Sequence, residues 1–266
     1  MVVEYRDPPI SYDKVTNRRK VSQVHYHYQY ELYYLVSGET KYFVGDDIFH
    51  LRAGDFIFVP REILHKTDSE SCLHNERILL SFEDAVFTEE LRPILAELSR
   101  CKLIHIPANK SYQVEELLRR LQMEFDREEA YREIMTTLHI RELLTLLCRL
   151  KYDYTPQVTE SEKMIGAVAE FIRMNFSQDI SLSVLSRRFA LSEGCLSRKF
   201  KAVTGMGISE YLTNVRIHNA VQLLSQGGLS VTEVAERCGY SDSNYFASVF
   251  KKFKGTTPLK FSKSQQ

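Results

Sequence analysis

The chain has 266 residues, room for two domains, with 35 Lys+Arg balanced by 35 Asp+Glu and no tryptophan. No apolar run approaches the ~20 residues needed to span a bilayer, and the start, Met1-Val-Val-Glu-Tyr-Arg-Asp-Pro-Pro, is charged and broken by prolines, which predicts no signal peptide and a cytoplasmic protein. The five cysteines (Cys72, Cys101, Cys148, Cys195 and Cys238) are odd in number and contain no Cys-x-x-Cys pair, which argues against a disulfide framework and against a structural zinc site.

Charge is unevenly spread: residues 160–266 hold 14 Lys+Arg against 9 Asp+Glu, and residues 1–159 hold 21 against 26. A basic C-terminal part on an acidic body fits one end that binds nucleic acid and one that does not. Residues 1–20, with Pro8-Pro9 and the basic run Arg18-Arg19-Lys20, read as an arm from which Tyr5, Ile10 and Tyr12 can dock.

From Val21 to about Glu83, short apolar runs alternate with turn signals at Ser37-Gly38, Gly45-Asp46-Asp47, Ala53-Gly54-Asp55 and Pro60-Arg61-Glu62. Such spacing predicts an antiparallel sandwich or barrel. Phe56-Ile57-Phe58-Val59 is apolar on both faces and reads as a buried strand. Within this region His25-x-His27-x3-Glu31-x6-Gly38 is followed by Gly54-x5-Pro60-x4-His65. These two stretches resemble the two motifs of the cupin barrel over about 60 residues, with one departure: Glu62 stands where the family has a glycine.

His25 and His27 are two apart on a strand, so both rings point to one side. With Glu31 and His65 they offer the nitrogen and oxygen ligands that a borderline divalent metal prefers. Three readings stay open: a metal held by His25, His27, Glu31 and His65; an organic effector bound by His27, Glu31, Tyr33 and His65; or a polar network that holds the barrel mouth together. The tyrosines at 26, 28, 30, 33, 34 and 42 suit a sugar or other polar ring, although tyrosine in a strand more often serves sheet packing.

Residues 89–101 and 111–153 change to helical periodicity. Leu117, Leu118, Leu121 and Phe125 fall on one face, and Ile134, Leu138, Leu144, Leu147 and Cys148 on another. Leu143, Leu144, Leu146, Leu147 and Leu150 supply more apolar surface than a lone helix pair hides, for packing on the barrel or for a dimer seam. Residues 152–161, polar and carrying Pro156, read as a linker.

Beyond it one pattern is written twice. Ser181, Leu182, Leu185, Ser186 and Phe189 recur 49 positions later as Ser230, Val231, Val234, Ala235 and Cys238, while Leu196, Phe200, Lys201 and Gly205 recur 50 positions later as Phe246, Phe250, Lys251 and Gly255. One residue is inserted in the second turn. Each copy reads as a helix-turn-helix: a serine cap, a short apolar stripe, a turn, a second cap at Ser192 or Ser241, a second helix, and a glycine at its end. The second helices should start near Ser192 and Asp242. With Ile208 to Leu224 between the copies and Gly255-Thr-Thr-Pro258 after them, about 100 residues resemble the DNA-binding domain of the AraC/XylS family of transcription regulators, notably in Cys238-Gly239-Tyr240-Ser241 and Phe250-Lys251-Lys252.

The resemblance implies an α+β, two-domain fold: an N-terminal antiparallel β-barrel, cupin-like, with packed helices, then an all-α tandem helix-turn-helix domain. It divides the chain into a sensing and dimerising domain (1–152), a linker (153–161) and a DNA-binding domain (162–266). It places Ser192, Glu193, Gly194, Ser197 and Arg198, then Ser241, Ser243, Asn244, Ala247 and Ser248, against base edges in the major groove. Arg187, Lys199, Lys201, Arg216, Lys251 and Lys252 fall to phosphates. Gly194 and Ala247 cannot hydrogen-bond through a side chain, which weakens the second helix as a reader. The implied function is a sequence-specific regulator, an activator by the family's habit, with promoter DNA, a small effector such as a sugar, a second copy of the chain and RNA polymerase as partners. A metal-dependent cupin enzyme tethered to a DNA-binding domain is the alternative of another class.

Overall fold

The computed structural model describes residues 9–16, 24–68, 75–127, 129–151 and 158–264. The strands are β1 (Ile10–Thr16), β2 (Tyr30–Ser37), β3 (Glu39–Val44), β4 (Asp47–Arg52), β5 (Asp55–Val59), β6 (His65–Asp68), β7 (Glu76–Phe82) and β8 (Leu103–His105). They form a five-stranded sheet in the order β1-β7-β2-β5-β8 and a three-stranded sheet in the order β4-β3-β6, with every pairing antiparallel. The period-2 alternation of strands decides what each sheet hides. On β5, Ile57 and Val59 point between the sheets, where they meet Tyr33, Leu35, Tyr42, Val44 and Leu51. Phe56 and Phe58 point outward, and this explains a run apolar on both faces.

The outer face of the larger sheet is covered by α1 (Arg92–Cys101), α2 (Ser111–Asp126) and α3 (Arg132–Leu150). The covering stripe of α2 is Leu117, Leu118 and Leu121, as expected, with Phe125 half-buried and stacked 5.6 Å from Tyr12. On α3 the buried stripe is Ile140, Leu143, Leu144 and Leu147. Ile134 and Leu138, expected on that face, are exposed, at 58% and 50%, because the helix turns those positions away from the sheet. The expected arm is corrected in part as well: Ile10–Thr16 is an edge strand paired along its length with β7. Residues 1–8 and 17–20, with Tyr5 and the basic run, lie outside the described residues, as does Cys72; the other four cysteines are free thiols.

The C-terminal part is wholly helical: α4 (Glu160–Asn175), α5 (Leu182–Arg188), α6 (Glu193–Thr204), α7 (Ile208–Gln226), α8 (Val231–Arg237), α9 (Ser243–Lys254) and α10 (Pro258–Ser264). Ser181, Ser192 and Ser230 cap α5, α6 and α8 through their hydroxyls, each accepting from a first-turn amide. Ser241 does not cap α9. Asp242 does, accepting from the amides of Asn244 and Tyr245, and Ser241 is the inserted residue that lengthens the second turn. Gly205 and Gly255 end α6 and α9 in the left-handed region, with φ of 76° and 72°.

The two halves share a core. Tyr26, Phe43, Ile48 and Leu64 of the barrel pack in one cluster with α4, α5, α6 and the first half of α7. At its centre is the β3–β4 turn: the Tyr211 hydroxyl donates to the Gly45 carbonyl at 2.9 Å, and Arg173 pairs with Asp46 at 2.9 Å. A Cβ on Gly166 would stand 2.8 Å from the Asp46 carbonyl oxygen, so only glycine permits that approach. Glu162, in a capping box with Thr159, receives Lys41 and His50, each at 3.0 Å. Burial alone would raise the Glu162 carboxyl, but hydrogen bonds from Thr159, Lys41 and His50 bring it down to about 2.

Candidate metal centre and nucleic-acid interface

Residues 24–28 run as a short extended segment beside the start of β6, with His25 and His65 exchanging backbone hydrogen bonds. This puts the His25, His27 and His65 rings together, with centroids 4.3 Å apart for His25–His65 and 4.8 Å for His27–His65. Glu31 reaches them from the inward face of β2. One potential ligand atom from each of His25, His27, Glu31 and His65 lies within 4.8 Å of the others. The structure thus gathers all four residues that the spacing suggested for a metal.

Backbone carbonyls orient two of the rings. His65 Nδ1 lies 2.8 Å from the Ile63 oxygen and His27 Nδ1 lies 2.7 Å from the Gln29 oxygen. A carbonyl can only accept, so each Nδ1 carries a proton, and the neutral His65 ring presents its Nε2 lone pair to the cluster. This is the outer support that ligating histidines require. Glu31 Oε1 accepts from the Tyr42 hydroxyl at 2.7 Å, and Oε2 faces His27 Nε2 at 3.4 Å. Burial favours a neutral Glu31, but the hydrogen bond with His27 and the fields of His65, His27 and His25 hold it well below the usual carboxylate range. Burial, with His25 next, pushes His65 down to about 3. The cluster is therefore a carboxylate and a neutral imidazole at neutral pH, the protonation that metal binding needs. His65 is fully buried, and its Nε2 has no hydrogen-bond partner among the described residues. Three imidazoles and a carboxylate thus fit a borderline divalent ion.

Tyr33 is placed differently. It is fully buried between the sheets, edge-on to Tyr42 at 4.9 Å, so it is a wall of the packed interior. Tyr30 and Tyr34 pack outward on the helices. Tyr26 and Tyr28 face the helical domain, where Lys254 Nζ lies 4.7 Å and 5.6 Å from their ring centroids. Glu62, the departure from the cupin pattern, has a φ of 62°, which explains the family's glycine. Its carboxylate accepts from Gln222 of α7 at 2.9 Å. Sequence reasoning noticed the odd residue but not its role, since Gln222 lies 160 positions away.

On the helical domain, Arg187, Ser192, Glu193, Gly194, Ser197, Arg198 and Lys201 are exposed on or beside α5 and α6, with Lys199 half-buried. Ser241, Asn244, Ser248, Lys251 and Lys252 are exposed at α9, with Ser243 and Ala247 partly covered. Arg216 departs from its expected place at a phosphate. Its guanidinium donates to the carbonyls of Phe176 and Gln178, each at 2.8 Å, and lies 5.4 Å from the centroid of the Tyr240 ring, so it braces the α4–α5 connection against the turn of the second helix-turn-helix unit.

A barrel with this motif geometry joined to two helix-turn-helix units defines a ligand-binding domain coupled to a DNA-binding domain. Family models agree: a helix-turn-helix domain matches residues 185–264 and a cupin domain matches residues 16–72. The HTH-type transcriptional activator RhaR of Mannheimia succiniciproducens is 26% identical over 238 residues, 90% of this chain and 86% of that protein. The HTH-type transcriptional regulator YfiF of Bacillus subtilis is 28% identical over 247 residues, 88% of this chain and 77% of that protein. The C-terminal domain of AraT, a response regulator from Geobacillus stearothermophilus, overlaps 40% of this chain and 88% of its own at 30% identity, with a TM-score of 0.38. The chain therefore joins a cupin domain to the helix-turn-helix domain of a DNA-binding transcription regulator, and over most of its length it is similar to curated HTH-type transcriptional regulators.

Proposed function

We propose that the chain is a sequence-specific activator of transcription whose barrel senses a divalent metal ion at His25, His27, Glu31 and His65. The observation that carries the metal is the buried His65 Nε2, held in the ligating tautomer with no hydrogen-bond partner among the described residues. An unmet buried acceptor is costly, and a metal–nitrogen bond would satisfy it. A sugar held by His27, Glu31, Tyr33 and His65 would have to open an interior that Tyr33, Tyr42, Ile57 and Val59 fill. The ion, once bound, supplies positive charge and a fixed geometry at the barrel mouth; the residues do the holding.

In this reading residues 1–152 sense and dimerise, 153–161 connect, and 162–266 read DNA in the cytoplasm. Arg198 pairs with a guanine and Asn244 with an adenine, while Arg187, Lys199, Lys201, Lys251 and Lys252 hold phosphates. Activation is the role that the RhaR relatives' names give them, and RNA polymerase is then a partner. The second copy of the chain docks on the exposed Ile134, Met135 and Leu138 of α3. Leu138→Glu should convert a dimer to a monomer in sedimentation without lowering Tm, and an unchanged dimer would move the seam elsewhere.

The test of the metal is a thermal-shift series with divalent metals and sugars, in wild type and Glu31→Gln. A native-state ligand raises Tm by mass action. A metal-dependent rise lost in Glu31→Gln is expected. A sugar-dependent rise lost in the same variant, with no metal response, would replace the ion with an organic effector.

A further inference from the structure

The segment 24–28 has two faces with two different neighbours. Alternate residues of an extended chain point to opposite sides. His25 and His27 point to Glu31 and His65. Tyr26 and Tyr28 point to the helical domain: the Tyr26 ring lies edge-on to His218 of α7 at 5.2 Å, and both rings lie under Lys254 in the last turn of α9. The loop beside the segment moves with it, because the Glu62 amide donates to the His27 carbonyl at 2.8 Å while the Glu62 side chain holds Gln222 of α7. These contacts touch the second helix-turn-helix unit and the stretch of α7 that leads into it. The first unit is held elsewhere, by the β3–β4 turn and the shared core.

Ligand atoms that share one tetrahedral ion with bonds of about 2.1 Å stand about 3.4 Å apart. Here the four atoms spread over as much as 4.8 Å. His27 Nε2 already stands 3.4 Å from Glu31 Oε2, while the His25 and His27 ring centroids are 6.0 Å apart, so closing the spread draws His25 inward and its neighbour Tyr26 away from His218 and Lys254. We propose that filling the His25–His27–Glu31–His65 site loosens the barrel's hold on the second helix-turn-helix unit while leaving the first unit anchored. This rests on the metal reading above and adds the route by which the ion reaches the DNA-binding half: the opposite face of the segment that supplies two of its ligands.

The test is amide hydrogen exchange on the full chain, with and without Zn2+ and in parallel Mn2+, with bound metal measured in the same samples. The expected result is one ion per chain and several-fold faster exchange in the last turn of α9 and around His218 to Gln222, with α4 unchanged. One bound ion and no change at α7 and α9 overturns the relay and leaves the metal site standing. No bound ion overturns both. A second variant, Tyr28→Ser with Lys254→Gln, removes the outer contact without touching a ligand. It should bind the ion as wild type does, exchange faster at α9 without it, and respond no further when it is added. A wild-type response in that variant would show that the signal travels by another route and overturn the proposal.

Discussion

The two helix-turn-helix units carry the same pattern and sit in different company. The first, from Ser181 to Gly205, shares its core with the barrel: Leu196 and Phe200 lie in one cluster with Phe43, Ile48 and Leu64. The second, from Ser230 to Gly255, closes a core of its own, in which Phe246 and Phe250 meet the second half of α7 and Phe261 of α10. Its ties to the barrel are polar and aromatic contacts at Lys254, His218 and Gln222. The turns differ in keeping. Ala190 takes a φ of 53° where the second copy places Gly239 at 80°, and Ser241 lengthens the second turn by one residue. A duplicated motif thus yields one unit built into the sensor and one that leans on it.

The sharpest way to break this comparison is to hollow out each core. Phe200→Ala and Phe250→Ala should each cost roughly 3–5 kcal/mol. Phe200→Ala should lower the barrel's own unfolding transition as well, whereas Phe250→Ala should leave it in place. Denaturant unfolding followed by barrel tyrosines and by helical circular dichroism reads both. If both variants affect the barrel equally, the second unit is as firmly embedded as the first.

A smaller effect separates the units as readers. Arg198→Ala should weaken binding to the cognate site by roughly 1–3 kcal/mol and relax preference at one base, measured by titrating labelled duplexes. Asn244→Ala should cost less, since its neighbour Ala247 offers no side-chain hydrogen bond. An equal loss would make the second unit a full reader. The smallest effect belongs to Glu62→Gly. It should relieve roughly 1–2 kcal/mol of left-handed strain while removing the Gln222 contact, so Tm should hardly change, but exchange around Gln222 should quicken. A clear fall in Tm would mean that the contact outweighs the strain.

The pieces legible in the sequence are those set by neighbours in the chain. The serine caps at Ser181, Ser192 and Ser230, the terminal glycines of α6 and α9 and the inserted residue of the second turn all act within a few positions and stand where the repeat puts them, while the fourth cap passes from Ser241 to Asp242. His25, His27, Glu31 and His65 were legible as a set from the motif spacing, although the expected strand under His25 and His27 is only a single bridge to His65. The pieces that were not legible depend on partners far away. Ile10–Thr16 looks like an arm until β7 pairs with it. The stripe of α3 rotates away from Ile134 and Leu138 because the sheet below selects Ile140, Leu143, Leu144 and Leu147. Arg216 looks like a phosphate ligand until the carbonyls of Phe176 and Gln178 are seen beneath it.

The sequence by itself determined the order of the C-terminal helices, the duplicated helix-turn-helix and the set of side chains that meet in the barrel site, since these follow from residue type and short spacing. Only the tertiary structure decided that the two halves share a core, that Glu62 trades an easy turn for a contact with α7, and that Tyr26 and Tyr28 turn outward from His25 and His27 beside them onto His218 and Lys254. The physical reason is the same in each case: alternation and periodicity say that a residue has two possible faces, and only the element that packs against it says which face is buried and by whom.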